Sequence, residues 1–316
     1  MTARLFCLLL ACWAALAAAE PFDYALRPTR LAPGVHAFFG RTEDFNRQNG
    51  GNIVNTGVIE TAEGLIVIDS GPSLRYGQQM RAVLAAQLGQ PVRWVINTHH
   101  HPDHFLGNLA FADLWIGALP ATRQGMEREG NAFAENLFRL SGDWLKGSEV
   151  QLPNQSLSGG VIELGGRRLR LLALSGHSGA DLAVFDEASG VLFAGDLVFH
   201  DRAPTTPHAD LPRWQAALQA LSSLTREPGF RQLLPGHGPA ASDDGPIRQT
   251  ADWLRWLDEE LRSAAQRGLD MSDLLARPLP ARFARLALAQ EEFRRSVIHL
   301  FPAIEVEALG EVSHGH

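Results

Sequence analysis

The stretch VRWVINTHHHPDHFLGN, Val92 to Asn108, constrains this chain more than any other. Its apolar opening, Val92 to Ile96, reads as a strand, and it delivers four histidines and an aspartate into the six positions from His99 to His104. In a tight turn after a strand, residues two apart can point the same way. His99 and His101 then converge on one ion, Asp103 and His104 face a second beside it, His100 points to the other side, and Pro102 stiffens the turn. A catalytic zinc takes about three protein ligands and keeps one position for water, so more ligands must come from elsewhere. Three candidates each follow an apolar run at a chain turn: His177 in SGHSGAD, Asp196 in FAGDLVF and His237 in LLPGHGP.

Composition narrows the donor atoms. The only two cysteines, Cys7 and Cys12, lie in the first twenty residues, MTARLFCLLLACWAALAAAE. That segment reads as a signal peptide over residues 1–19: Arg4 before an apolar run, then Ala17-Ala18-Ala19 as a cleavage signature. An uncleaved anchor is disfavoured because the run is short for a membrane span. A lipid-attachment reading at Cys12 is weaker, since Leu10 is larger than that position ordinarily allows. The expected product is periplasmic or secreted, with no membrane span after cleavage and no thiol, so its metal site must use nitrogen and oxygen. The 316 residues are 45% hydrophobic and 20% charged, with a net charge of −7 that loss of Arg4 takes to −8, and they contain no basic block. Nucleic acid is therefore excluded as a partner, and a small-molecule substrate is expected.

GVHAFFG, NIVNTGVIET and GLIVIDSG read as successive strands, followed by a helix from Leu74 to Leu88 and the strand at Val92. A helical region spans roughly Thr122 to Lys146, its apolar residues assigned mainly to the core. The second half repeats the style, with VIEL, RLRLLAL, DLAVFDE, GVLFAGD and RQLLPGHG as strands, a helix from Pro212 to Leu224, and amphipathic helix from Pro246 onward. Two packed sheets covered outside by helices follow from this order. The division expected is a catalytic domain over 20–245 and a helical extension over 246–316 packed on it.

The pattern HxHxDH at His99, His101, Asp103 and His104, continued by His177, Asp196 and His237, resembles the ligand set of the metallo-β-lactamase-fold hydrolases. The resemblance implies an α/β fold, a four-layer αββα sandwich with a helical C-terminal tail. It implies that His99, His101 and His177 bind one metal, that Asp103, His104 and His237 bind a second, and that Asp196 bridges them. Asp69 in VIDSG would support the metal loop from outside the ligand shell. The donor set suits two Zn²⁺ per chain, with iron or manganese as alternatives. Two metals about 3.5–4 Å apart can hold a hydroxide between them and lower the pKa of bound water to about 7. Asp103 would orient that hydroxide and pass its proton to the leaving group. The expected activity is hydrolysis of an ester, thioester, lactone or amide.

Asp196 in AGDLVF resembles the glyoxalase-II type of site. A β-lactam substrate is disfavoured, because Lys146 is the only lysine, and no oxyanion tyrosine is evident with Tyr24 and Tyr76 the only tyrosines. More narrowly, NGGNIVNTG, IDSGPSLRYG, NTHHHPDHFLGN and GDLVFHDRAPTTPHAD resemble the SoxH-like quinoprotein relay system zinc metallohydrolases. That resemblance implies a periplasmic setting beside a quinoprotein dehydrogenase system that uses pyrroloquinoline quinone. The competing readings are a mononuclear iron dioxygenase of the persulfide type on the same fold, and a metal-binding accessory protein. Arg202 is the candidate for binding a substrate anion and Asn52, in the NGGN lip, a candidate substrate contact. His208 is read as a structural loop histidine rather than a proton carrier.

Overall fold

The computed structural model describes residues 22–314; the expected signal peptide, with Cys7 and Cys12, lies outside them. One sheet runs in spatial order β1 (Thr29–Ala32), β2 (Val35–Phe38), β3 (Thr56–Glu60), β4 (Leu65–Ile68), β5 (Val92–Ile96), β6 (Trp115–Ala118) and β7 (Gln155–Ser156). It is antiparallel as far as β4 and parallel from β4 to β7. The second sheet holds β8 (Gly160–Leu164), β9 (Arg167–Leu174), β10 (Asp181–Asp186), β11 (Val191–Phe199) and β12 (Gln232–His237), neighbours in that order, with only the β11–β12 pair parallel.

Side chains alternate across a strand, and that alternation builds the layers. In β4, Ile66 and Ile68 face the second sheet and meet Val184, Val191 and Phe193. Leu65 and Val67 face the other way, onto Tyr76, Met80 and Leu84 of α1 (Leu74–Leu88). In β11, Val191 and Phe193 point inward, while Leu192 and Ala194 pack on α4 (Leu211–Leu224) and α5 (Gly245–Gln266). The result is an α/β fold of four layers, helix, sheet, sheet, helix.

Helix ends follow local chemistry. Ser73 caps α1, its hydroxyl accepting from Tyr76 N at 3.0 Å, and Gly89 ends it in the left-handed region at φ 67°. Beyond α5 come α6 (Met271–Leu275), α7 (Ala281–Ala284) and α8 (Ala289–His314). Trp253, Leu257 and Leu261 of α5 and Phe293, Val297 and Phe301 of α8 share one buried cluster with Phe185, Leu192 and Leu233 of the second sheet. Each such side chain contributes roughly 1.5–3 kcal/mol when fully buried, which holds the C-terminal helices against the sheet they cover.

Three readings from the sequence change. Residues Asn52–Asn55 are loop rather than strand, because Asn55 turns its amide onto Pro235 O (2.9 Å) and Gly238 O (2.7 Å) and ties this segment to β12. The short strands β1, β6 and β7 lacked a periodic signal and emerge only from pairing. The helix expected over Thr122–Lys146 is α3 (Pro120–Ser141), stopped at Gly142, where φ is 68°. Its apolar residues divide: Leu137 is core, whereas Phe133 and Leu140 face a cleft.

Candidate metal centre

The segments carrying six of the seven proposed ligands place them at strand ends. β5 delivers the histidine loop and α2 (Pro102–Phe105), the β9–β10 turn carries His177, and β12 ends on His237. Asp196 lies within β11, where the register against β12 slips on both sides of Gly195. Such a bulge re-aims a side chain, here into the site. Beneath it Gly236 has no alternative, since a Cβ there would lie 1.9 Å from Asp196 Oδ1.

The donor atoms form two groups that share Asp196. In the first, His99 Nε2 is 3.0 Å from His101 Nδ1, which is 2.8 Å from His177 Nε2, and Asp196 Oδ2 is 3.4 Å from His177 Nε2. In the second, Asp103 Oδ2 lies 3.5 Å from His237 Nε2 and 3.7 Å from His104 Nε2. Asp196 reaches this group too, with Oδ1 3.1 Å from His104 Nε2 and Oδ2 3.2 Å from His237 Nε2. Ligand atoms on a tetrahedral zinc at 2.0–2.1 Å lie about 3.3 Å apart, so these spacings are those of coordination polyhedra.

The far side of each ring sets its orientation. His104 Nδ1 meets Asp69 Oδ2 at 2.7 Å and His237 Nδ1 donates to Ile53 O at 2.8 Å, which turns both Nε2 atoms inward. Asp69, buried and left-handed at φ 61°, also accepts from Thr98 N and Thr98 Oγ1, each at 2.8 Å. Asp181 accepts from His177 N (3.1 Å) and Ser178 N (3.0 Å) and so holds the His177 turn. Thr98 and Asp181 were not singled out in the sequence, although an aspartate four residues after a turn histidine is a readable turn signal.

Electrostatics test whether a cation fits. Burial, followed by neighbouring imidazoles, holds His99 and His101 well below the ordinary histidine value, and burial takes His177 down to about 3. These rings are neutral and offer lone pairs. Burial opposes ionisation of His104 as well, yet Asp196, Asp103 and Asp69 hold its pKa well above normal. Burial likewise opposes charge on Asp196, and His237 and His104 overcome it. His104 Nε2 and Asp196 Oδ1, both buried and 3.1 Å apart, nevertheless make no well-aligned hydrogen bond. The space between them calls for positive charge, which a proton supplies to the bare chain and a divalent metal supplies better. The donor set therefore fits a metal, and imidazole with carboxylate suits zinc.

A cleft of about 470 Å³ opens over these atoms, with Asp103, Asp196 and His237 on its floor and Phe45, Phe133 and Leu140 on its walls. α8 supplies Arg295 and His299 to its rim, two residues the sequence did not bring forward. Arg202 requires a correction. It touches the cleft but is 2% exposed, and its guanidinium donates to the buried Glu292 Oε1 at 3.2 Å and to Thr205 Oγ1 at 3.1 Å. An arginine neutralised in this way is not free to clamp a substrate anion. Asn52 is also corrected: its backbone braces Arg41 N and Asn49 O, and Ile53, not Asn52, lines the cleft. His208 lines the cleft as well, with Nδ1 2.9 Å from His101 Nε2.

Comparison with known proteins adds four findings. Residues 49–262 match the model of the metallo-beta-lactamase superfamily. A hydroxyacylglutathione hydrolase of Acidiphilium cryptum is 31% identical over 221 residues, 69% of this chain and 76% of that protein. The acyl-coenzyme A thioesterase MBLAC2 of Gallus gallus is 26% identical, covering 59% of this chain and 73% of its own length. Among solved structures, a metallo-beta-lactamase from Pontibacter korlensis superposes with a TM-score of 0.58 at 21% identity, over 73% of this chain and 99% of that one.

Proposed function

The chain belongs to the metallo-beta-lactamase superfamily, and from that premise we propose that it is an exported, binuclear zinc hydrolase of thioesters or related activated esters. The observation that carries the metal count is Asp196, whose Oδ2 lies 3.4 Å from His177 Nε2 and 3.2 Å from His237 Nε2, shared between two donor groups. His99, His101 and His177 would hold one ion, Asp103, His104 and His237 the other. Zinc, when bound, lowers the pKa of its water to about 7 and polarises a substrate carbonyl.

The remaining roles belong to this chain's side chains. Asp103 is buried on the cleft floor, and burial raises its pKa against the pull of His104 and His237. Beside a bound metal, the Asp103 oxygen left free of coordination would accept a proton from the attacking water and return it to the departing sulfur or oxygen. Phe45, Phe133 and Leu140 seat an apolar acyl portion and exclude water from it.

Thioesters lead because the relatives include a hydroxyacylglutathione hydrolase and an acyl-coenzyme A thioesterase. Lactams rank below them. Lys146, the sole lysine, borders a separate cavity beside α3, and Tyr24 and Tyr76 are buried on Ser73 and Thr56, away from the cleft. Export rests on residues 1–19, and the quinoprotein setting on the motif resemblance alone.

The test is elemental analysis of protein purified without added metal, with a panel of thioesters, esters, lactones and lactams. About two zinc ions per chain and thioester turnover support the reading. One iron per chain with oxygen uptake overturns it. N-terminal sequencing of the mature protein from a periplasmic fraction, expected to begin at Glu20, tests export.

A further inference from the structure

We propose that His100, Glu129 and His208 form an outer site for a divalent transition-metal ion at the mouth of the cleft, separate from the seven-residue centre. The three come from distant parts of the chain: the histidine loop, α3 and the loop after β11. His100, His101 and His208 each bring a ring nitrogen within 4.8 Å of the others. Glu129 Oε2 lies 3.5 Å from His100 Nε2 and 3.6 Å from His208 Nε2. These separations approach the edges of about 3.3 Å expected of a zinc polyhedron, and two imidazoles with one carboxylate leave positions for water.

His100 is built in rather than left over. It is buried at 6% exposure, and its ring lies against Gly125 of α3, where a Cβ would come within 2.7 Å of His100 Cγ. Its nearest anionic partner is Glu129, at ion-pair rather than hydrogen-bond spacing. His208, with a side chain 40% exposed, has room to turn.

Filling this site would be felt at the inner centre through one bond. His101 offers Nδ1 to the inner group, so its Nε2 carries the proton and donates to His208 Nδ1 at 2.9 Å. To bind the outer ion beside Glu129, the His208 ring turns so that its Nδ1 lone pair meets the ion; that hydrogen bond then breaks, and His101 loses its outer support. Nothing is deprotonated. The effect of the outer ion on the inner centre therefore passes through His101.

The experiment dialyses the inner-loaded protein against graded Zn²⁺ and, separately, Cu²⁺, and counts metal per chain by elemental mass spectrometry. The expected result is one equivalent beyond the inner complement, with nitrogen couplings in the Cu²⁺ spectrum. In Glu129→Ala its affinity falls on the order of ten-fold or more, with the inner complement retained, and in His208→Ala it falls likewise. No additional equivalent in the unaltered protein overturns the proposal. So does an additional equivalent of unchanged affinity in both variants, which places the ion elsewhere, for example on His314 and His316. Because inner and outer ions are counted separately, failure of the hydrolase reading leaves this count readable.

Discussion

Replacing Asp69 by asparagine tests whether the support beneath the metal loop acts through charge or through shape. The carboxylate receives Thr98 N and Thr98 Oγ1 at 2.8 Å each and His104 Nδ1 at 2.7 Å, all buried. Asparagine keeps the size and tolerates the left-handed backbone at φ 61°. It turns one acceptor oxygen into a donor, however, so either His104 Nδ1 or Thr98 N faces an N–H. Losing one buried, charge-assisted hydrogen bond costs about 1.5–3 kcal/mol. At about 1.4 kcal/mol per factor of ten, that is roughly a 10–100-fold loss of metal affinity, the range found when groups behind a ligand are removed. Competition with a chromophoric chelator reads it directly, and the weaker-held ion should be the one bound by His104. Asp69→Ala adds about 1–2 kcal/mol of backbone strain on top and should show it as lower stability in the metal-free chain. Unchanged metal affinity in Asp69→Asn would refute the assignment of Asp69 as the orienting group.

Four further outcomes are expected. Asp196→Ala lowers occupancy of both metal positions while His237→Ala depletes mainly one, read as metal per chain; equal loss from either variant contradicts the shared carboxylate. Glu292→Ala strands the buried Arg202 and should cost about 3–5 kcal/mol in urea unfolding, whereas changing Arg202 and Glu292 together to methionine should cost far less. Burial pushes Asp181 up to about 7, so the folded chain binds a proton there that the unfolded chain has released. In the metal-free protein this contribution is full below pH ~4 and is lost as the pH rises through about 7, with a slope approaching 1.4 kcal/mol per pH unit. Asp181→Asn should flatten that dependence, and an unchanged slope counts against the assignment. Gly236→Ala, whose Cβ would collide with Asp196 Oδ1, should reduce metal content without unfolding the chain, as checked by circular dichroism.

The αββα layering was legible because it rests on short-range pattern: unbroken apolar runs in β4 and β11, and helical spacing in α1 and α4. Six of the seven candidate donors follow an apolar run near a strand end, where such residues can meet; Asp196, expected at a turn, instead sits inside β11 and is aimed by the register slip around Gly195. β1, β6 and β7 were not legible, since strands of two to four residues carry too little pattern and exist through their neighbours.

The amino-acid order by itself determined the chemistry available: nitrogen and oxygen donors, one lysine, and no cysteine beyond Cys7 and Cys12. Only the tertiary structure decided which charges are already satisfied and which groups reach the cleft. Arg202 looked free for a substrate until α8 placed Glu292, ninety positions further along, against it. The same packing brought Arg295 to the cleft, while α3 set Glu129 near His208. Secondary structure and ligand identity are written within a few residues of one another. The partner of a long charged side chain depends on which helix covers which face, and burying the apolar sides of α5 and α8 on the second sheet fixes that arrangement.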